Sequence, residues 1–123
     1  MKIGYFDTKE LASKDGALSP FGVQEVRPEC LELLNRIRKA WGRPIIVNSA
    51  YRSQEHNRAV GGVENSYHVQ GLAADIRPEN LKDLPELQDL CVELNSDGGV
   101  GLYDSFVHVD ARGFKARWDN RTK

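Results

Sequence analysis

The chain has 123 residues, of which 40% are hydrophobic and 28% are charged. This length and composition are typical of one globular domain, and they exclude a disordered or fibrous chain. The 17 basic and 18 acidic residues are interspersed and nearly cancel, which argues against a surface for nucleic acid.

Charged side chains are spread through the first twenty residues, and no long apolar run follows them. We therefore expect neither a signal peptide nor a membrane span. The protein is expected to be made in the cytoplasm, to be a monomer, and to have neither nucleic acid nor a membrane as a partner.

The first predicted element is a short helix. Asp7-Thr8-Lys9-Glu10 has the acidic N-cap, and the Glu three residues later, of a capping box. Gly16 and Pro20 limit this helix to a turn or two. Residues 1–20 are accordingly predicted to be irregular.

The longest predicted helix follows. From about Val23, apolar residues recur at three- and four-residue steps, and this amphipathic pattern ends at Gly42 before Pro44. Cys30 in this helix and Cys91 further along both lie in apolar helical patterns, where we expect buried free thiols rather than a disulfide.

The middle of the chain alternates strands with polar segments. Ile45-Ile46-Val47 is a β-branched run that predicts a buried strand. Ser53 to Val60 predicts a short polar helix, and residues 65–71 predict a loop. Leu72 to Ile76 is the second strand candidate, and its small residues imply close packing.

The last third of the chain predicts a helix and a hairpin. Leu81 to Leu94 has helical spacing of its leucines, and Val100–Tyr103 and Phe106–Ala111 are separated by a two-residue turn. Residues 115–123 are predicted to be a polar tail, frayed beyond Trp118. These elements predict a single α+β domain with a small, mainly antiparallel sheet and flanking helices.

Three residues stand out as metal ligands. Two of the three histidines, His68 and His108, lie with Asp75 near the ends of candidate strands. Two imidazoles and a carboxylate suit zinc, and they leave a fourth tetrahedral position for water, as in a catalytic site. Asp75 lies between Ala74 and Ile76, where an ionised carboxylate needs a compensating partner. His108 lies likewise between two valines, so a shared cation would explain both polar groups.

The residues around these ligands form a longer pattern. Ser66 to Asp75 has the form Ser-x-His-x-x-Gly-x-Ala-x-Asp, and it is followed by Gly98 to Tyr103 and by Phe106 to Asp110; an earlier segment, Asn48 to Ser53, belongs to the same pattern. This pattern resembles the peptidase M15 family of zinc D-Ala-D-Ala carboxypeptidases and phage-type endolysins, and within it subfamily A. The resemblance covers most of the chain.

The resemblance implies a fold like that of Hedgehog and the D-Ala-D-Ala peptidases, with Zn²⁺ as the cofactor. It implies hydrolysis of amide bonds in peptidoglycan stem peptides or cross-links, as a carboxypeptidase or an endopeptidase. Zinc would lower the pKa of water to about 7 and polarise the scissile carbonyl. The site of action is then the cell wall after phage-type release, or muropeptides in the cytoplasm.

The catalytic acid or base is open at this point. Known members often have an acidic residue three positions before the last His ligand, and here that position is Ser105. Asp104 and Asp110 are the candidates. The alternative for Asp104 is a plain turn residue, and for Asp110 an acceptor that orients His108 or pairs with Arg112.

Three further residues are candidates for contact with substrate. Arg52 suits a carboxylate clamp, which is also the role that the resemblance implies for this segment. Ser66 can donate to Asp75 or to substrate, or be a plain loop serine. Tyr103 can support an oxyanion or simply pack its ring. His56 is predicted to be a surface or structural residue.

Two other classes of function fit parts of the pattern. One is a non-catalytic, zinc-containing module that binds wall peptides, which the missing acid at position 105 keeps open. The other is a purely structural metal site in a larger assembly. Only three convincing ligands are present, so this second alternative is disfavoured.

Overall fold

The computed structural model of the protein describes residues 1–122, so that Lys123, the last residue of the predicted tail, lies outside it. The predicted α+β class is confirmed. In chain order the elements are β1 (Lys2–Ile3), β2 (Phe6–Asp7), α1 (Thr8–Leu11), α2 (Pro28–Trp41), β3 (Ile45–Ser49), α3 (Gln54–Ala59), β4 (Ala73–Pro78), a 3₁₀ turn (Leu81–Asp83), α4 (Leu84–Leu94), β5 (Gly99–Leu102), β6 (Val107–Asp110) and β7 (Ala116–Asp119).

The strands form two sheets. The larger one has five strands in the order β3-β4-β6-β5-β7, and neighbours pair antiparallel except for β5 and β7, which run parallel. The larger sheet is thus mixed and mainly antiparallel, in agreement with the prediction. β1 and β2 pair as a separate antiparallel ribbon within the segment that was predicted to be irregular.

The predicted capping box at Asp7 is present, and a second N-cap begins the short helix that was predicted over Ser53 to Val60. Asp7 accepts a hydrogen bond from the backbone N–H of Lys9, and the Glu10 carboxylate accepts one from the Asp7 N–H at 2.8 Å, which completes the capping box. The hydroxyl of Ser53 accepts from the N–H of His56 at 3.0 Å and begins α3.

Helix α2 begins later than the sequence pattern suggested. The predicted start near Val23 is corrected to Pro28, because a residue before proline disfavours helical angles and Arg27 is accordingly extended. The end at Gly42 agrees with the prediction: Gly42 has φ 72° and donates its N–H to the Arg38 carbonyl.

The apolar core lies on one side of the five-stranded sheet. Helix α4 packs on β4, β5 and β6, and α2 packs against α4. Cys30 and Cys91 are both buried and free, as predicted. Alternate residues of β4 and β6 enter this core, namely Ala74, Ile76, Val107 and Val109. The residues between them face the opposite side of the sheet, which carries the functional site.

The C-terminal end is more ordered than expected. The predicted frayed end beyond Trp118 is corrected, because Ala116–Asp119 pair with β5 as strand β7. The Arg117 guanidinium fastens this strand by donating to three backbone carbonyls at the end of α4 and in the turn after it, those of Val92, Asn95 and Gly98. Within residues 1–122, no helix has the length and apolar composition needed to cross a bilayer.

Candidate metal centre

One row of residues crosses all five strands on the face away from the core. Ser49, Asp75, His108, Gly101 and Trp118 are successive pairing partners from β3 to β7. An irregularity in β3 shifts its register by one residue just before Ser49, which brings Ser49 opposite Asp75. The sheet therefore delivers two of the three predicted metal ligands as direct neighbours.

The third predicted ligand, His68, comes from the loop before β4. The hydroxyl of Ser66 accepts a hydrogen bond from the His68 N–H at 3.1 Å, which tightens the turn that holds this residue. The Nδ1 atom of His68 lies 2.7 Å from the carbonyl oxygen of Ala50. The side chain is 4% exposed, and the ring is held between the Ala50 carbonyl at Nδ1 and the Asp75 carboxylate at Nε2.

The three side chains converge on one point. Oδ1 of Asp75 lies 3.3 Å from Nε2 of His68 and 3.0 Å from Nδ1 of His108. One ligand atom from each residue lies within 4.8 Å of the others. The structure thus brings together the residues that were predicted to hold the metal.

The hydrogen bonds of the two imidazoles test whether a metal fits. Nδ1 of His68 faces a carbonyl oxygen, so it must carry the proton and leave the Nε2 lone pair toward Asp75. Nε2 of His108 lies 2.8 Å from the Asp110 carboxylate, so the Nδ1 lone pair is the one left toward Asp75. Two lone pairs and a carboxylate that face each other suit a shared cation, and this donor set fits zinc.

The electrostatics of the site agree with a cation. Burial alone would raise the pKa of Asp75. Without a metal, however, the two imidazoles can take up a proton and donate to this carboxylate, and these hydrogen bonds with His108 and His68 hold its pKa well below the ordinary value. Burial would lower the pKa of His108, yet its bonds to Asp110 and Asp75 raise it. Negative charge is therefore concentrated around two imidazoles.

Asp110 contacts His108 at Nε2, the ring nitrogen that faces away from Asp75. Its carboxylate is fully buried and accepts two hydrogen bonds of 2.8 Å from Nε and Nη2 of Arg112. It also accepts the backbone N–H of Gly99 at 3.0 Å. Arg112 and His108 hold the pKa of Asp110 below its usual range, against the effect of burial. The carboxylate is thus a fixed, ionised acceptor for the His108 ring.

Arg52 is anchored beside the metal residues. Its Nε donates to the hydroxyl of Ser49 at 3.0 Å, Nη1 to the side-chain oxygen of Asn57 at 3.3 Å, and Nη2 to Oδ2 of Asp75 at 3.3 Å. Its side chain is only 15% exposed. The guanidinium is thus held in one orientation at the edge of the site.

A cleft of about 680 Å³ opens above these residues. One wall is a glycine and valine segment, residues 60–63, and the others are largely aromatic, from Tyr67, Tyr103, Phe106 and Trp118. Among the described residues that line it, Asp75 is the only carboxylate, whereas Arg52 and Arg112 are cationic. The cleft has the volume and the lining of a binding site for a small peptide.

A family model described as peptidase M15 matches residues 4–110. The chain belongs to the peptidase M15 family. Comparison with curated proteins gives no match. Peptidases of the M15 family are zinc-dependent metallopeptidases, which agrees with the donor set of His68, Asp75 and His108. Assignment to subfamily A stays a prediction.

Of the other residues predicted for this M15 site, Ser66 and Tyr103 lie at the cleft and Asp104 lies away from it. Ser66 and Tyr103 line the cleft, but Ser66 meets the His68 backbone rather than Asp75. Asp104 lies in the exposed turn after β5, where its two oxygens accept from the N–H and hydroxyl of Thr122 at 2.9 and 3.0 Å. This turn lies beside a separate groove, so the structure does not bring Asp104 to the metal residues.

Two cleft residues of this M15 peptidase, Tyr67 and Trp118, were not predicted from the sequence. Tyr67 lies under Arg112, whose Cζ is 4.3 Å from the ring centroid, and Trp118 packs on His108 with ring centroids 5.1 Å apart. The available signal for Trp118 was a large aromatic residue in an otherwise polar tail. Tyr67 had a clearer signal, since it directly precedes a ligand.

Proposed function

We propose that the protein is a zinc peptidase that hydrolyses amide bonds in the peptides of bacterial peptidoglycan, as a carboxypeptidase or an endopeptidase. The observation that carries this proposal is the convergence of His68 Nε2, His108 Nδ1 and Asp75 Oδ1 beneath a peptide-sized cleft. Membership of the M15 family supports it. We also propose that the fold is of the Hedgehog and D-Ala-D-Ala-peptidase type.

The chain's own residues would hold the metal and the substrate. Ala50 and Asp110 keep the imidazoles of His68 and His108 in the tautomers that a cation requires. When bound, zinc supplies Lewis acidity, which makes water nucleophilic near neutral pH and polarises an amide carbonyl. A peptide bound between the aromatic walls of the cleft would displace water, which would strengthen these interactions.

Arg52 is proposed to orient the substrate. A guanidinium has five N–H donors, and three of them are engaged by Ser49, Asn57 and Asp75. The remaining donors can clamp a carboxylate of a stem peptide. Arg52→Lys should therefore raise the Michaelis constant. The matched control is Arg58→Lys on exposed helix α3, and equal constants in the two variants would remove Arg52 from the substrate site.

The charge of the cleft favours an anionic peptide. Arg52 and Arg112 line it, and Asp75 is the only carboxylate among its described lining residues. With a divalent cation in place the cleft would carry net positive charge, which attracts carboxylates. Stem peptides are rich in carboxylates, and this complementarity supports them over neutral peptides as substrates.

A second candidate function is a zinc-containing module that binds wall peptides without cleaving them. Catalysis needs a group that accepts the proton of the attacking water. Asp104 lies outside the cleft, and Asp110 is buried behind His108, so neither predicted carboxylate faces the substrate directly. This observation favours the binding module and makes a cleavage assay decisive.

The deciding experiment is digestion of purified peptidoglycan by the zinc-loaded protein, with mass spectrometry of the products. The negative control is His68→Ala, which removes a ligand, and the matched control is His56→Ala, outside the site. New amine and carboxyl ends with wild type and His56→Ala alone support the peptidase and name the bond. No products across several wall chemistries, with one zinc bound, would favour the binding module.

The same assay addresses where the enzyme works. We propose that the monomer acts on the wall after phage-type release or on muropeptides in the cytoplasm. Intact sacculi and soluble muropeptides should be offered in parallel. Faster cleavage of sacculi supports the first site of action, and cleavage confined to soluble muropeptides supports the second.

A further inference from the structure

The C-terminal strap, defined as residues 116–122, contributes Trp118 to the lining of the cleft although it lies beyond the segment matched by the family, residues 4–110. It is held to the domain at several points. Strand β7 pairs with β5, and Arg117 caps the carbonyls after α4. Thr122 holds Asp104, and Arg121 reaches the side-chain oxygen of Gln88 at 3.3 Å.

Trp118 is the residue of the strap that reaches the candidate active site. Its indole ring packs on the ring of His108, with centroids 5.1 Å apart. The space that it occupies exists because Gly101, its pairing partner, has no side chain. A Cβ atom at Gly101 would overlap the Cε2 and Nε1 atoms of the indole.

The indole N–H determines the direction of a neighbouring proton. Nε1 of Trp118 lies 2.8 Å from the hydroxyl oxygen of Tyr103. An indole N–H only donates, so the Tyr103 oxygen must accept this bond and its own proton must point elsewhere. Tyr103 lines the cleft that holds the metal residues, so a ligand bound there can accept that proton.

The ring of Tyr103 is held in place by other contacts as well. It stacks on Phe106 with centroids 4.4 Å apart and planes at 9°. The side-chain amide of Gln88, which is 1% exposed, donates to the backbone carbonyls of both residues at 2.9 and 3.2 Å. The phenol is therefore a preorganised donor, oriented before any ligand arrives.

We propose that Trp118 is a positioning residue that acts through Tyr103: its N–H orients the phenol to donate to the carbonyl oxygen of a bound peptide as negative charge develops there. This inference rests on the proposed peptidase function. It assigns to the strap a role in the reaction in addition to closing the sheet edge.

The kinetic test uses three variants. Tyr103→Phe should lower kcat by about tenfold to a hundredfold, since it removes a hydrogen bond to developing charge. Trp118→Phe keeps an aromatic ring but removes the N–H, and it should lower kcat by about fivefold, the equivalent of one neutral hydrogen bond. The Michaelis constant should change by less than about twofold in both, because the bond forms fully only in the transition state.

The double variant tests whether the two residues act as one unit. Trp118→Phe with Tyr103→Phe should be no slower than Tyr103→Phe alone, because the indole acts only through the phenol. A double variant whose loss is the product of the two single losses would overturn the proposal. Trp118→Phe with wild-type kcat would overturn it as well.

A second route moves the indole without altering either hydrogen-bonding group. Gly101→Ala should displace Trp118 and reproduce the fall in kcat of Trp118→Phe, whereas wild-type kcat would contradict the proposal. The control is Trp41→Phe, which makes the same exchange at the end of α2, where the ring packs under Arg43 rather than in the cleft. Trp41→Phe should keep the wild-type kcat. A fall in kcat equal to that of Trp118→Phe would show that the effect of losing an indole is not specific to the cleft.

Ligand binding separates this inference from the peptidase proposal. Acetohydroxamate, an anionic zinc ligand, should bind the zinc-loaded wild type and bind Trp118→Phe and Tyr103→Phe about fivefold more weakly by calorimetry, at unchanged zinc content. If the wild type cleaves no peptide, the proposed function fails, and weaker acetohydroxamate binding in both variants still supports the positioning role. Equal binding in wild type and variants overturns that role whatever the wild type cleaves.

Discussion

Replacing Asp110 by Asn should disturb both the fold and the metal site. Oδ1 of this buried carboxylate accepts the backbone N–H of Gly99 and the backbone and Nε donors of Arg112, and Oδ2 accepts from His108 and from Nη2 of Arg112. An amide has nearly the same size but carries an NH₂ group on one side. Either orientation points that group at donors and leaves the partly buried Arg112 without its counter-charge.

The expected cost follows from this loss. Removing one partner of a buried ion pair typically costs about 3–5 kcal/mol of unfolding free energy. Removing the acceptor behind a metal-binding imidazole typically weakens metal affinity by about 10- to 100-fold. The first effect should appear in the metal-free protein, and the second only when zinc is titrated in.

Urea unfolding of the metal-free protein and a competitive zinc titration measure the two effects separately. The matched control is Asp104→Asn, since Asp104 is exposed and its carboxylate accepts hydrogen bonds from Thr122 at the surface. That variant should lose less than about 1 kcal/mol and keep its zinc affinity. If Asp110→Asn matches the wild type in both measurements, the supporting role of Asp110 is wrong. Wild-type turnover in both zinc-loaded variants would exclude both carboxylates as the proton acceptor.

Other perturbations should report on the core and on surface electrostatics. Burial raises the pKa of Cys30 and of Cys91 to about 12, so neither thiol should react with Ellman's reagent at pH 8 until urea unfolds the protein; prompt reaction would contradict their burial. Leu34→Ala should cost about 2–5 kcal/mol in urea unfolding because the side chain is fully buried; a loss below 1 kcal/mol would contradict this packing. Hydrogen bonds, that from Ser53 foremost, lower the pKa of Asp15 to about 2. The resulting stabilisation should be complete above about pH 4 and disappear as the pH falls through 2, so the urea midpoints of wild type and Asp15→Asn should converge only at that low pH.

The sequence alone was sufficient for the features that depend on near neighbours in the chain. The capping box at Asp7 involves partners two or three residues away, and the pattern of apolar residues located α2, α4 and strands β3 to β6. The sequence also indicated the metal ligands, because an ionised Asp75 in an apolar strand requires a nearby partner of opposite charge. The start of α2 was misplaced because the helical period extends back past Pro28, where backbone sterics end it.

Only the tertiary structure decided which groups meet across the sheet. Parallel pairing of β7 with β5 brings together strands that are not joined by a hairpin, so a polar tail gave no local sign that Trp118 would reach His108. The sequence did not determine which way Asp104 points, because a turn residue can face either side of the sheet. In the structure its carboxylate is held away from the metal residues by hydrogen bonds from Thr122. The tautomers of the ligands depend on distant acceptors, the carbonyl of Ala50 and the carboxylate of Asp110. Residue identity determined which groups can bind a metal, whereas long-range packing determined how they are oriented and what surrounds them.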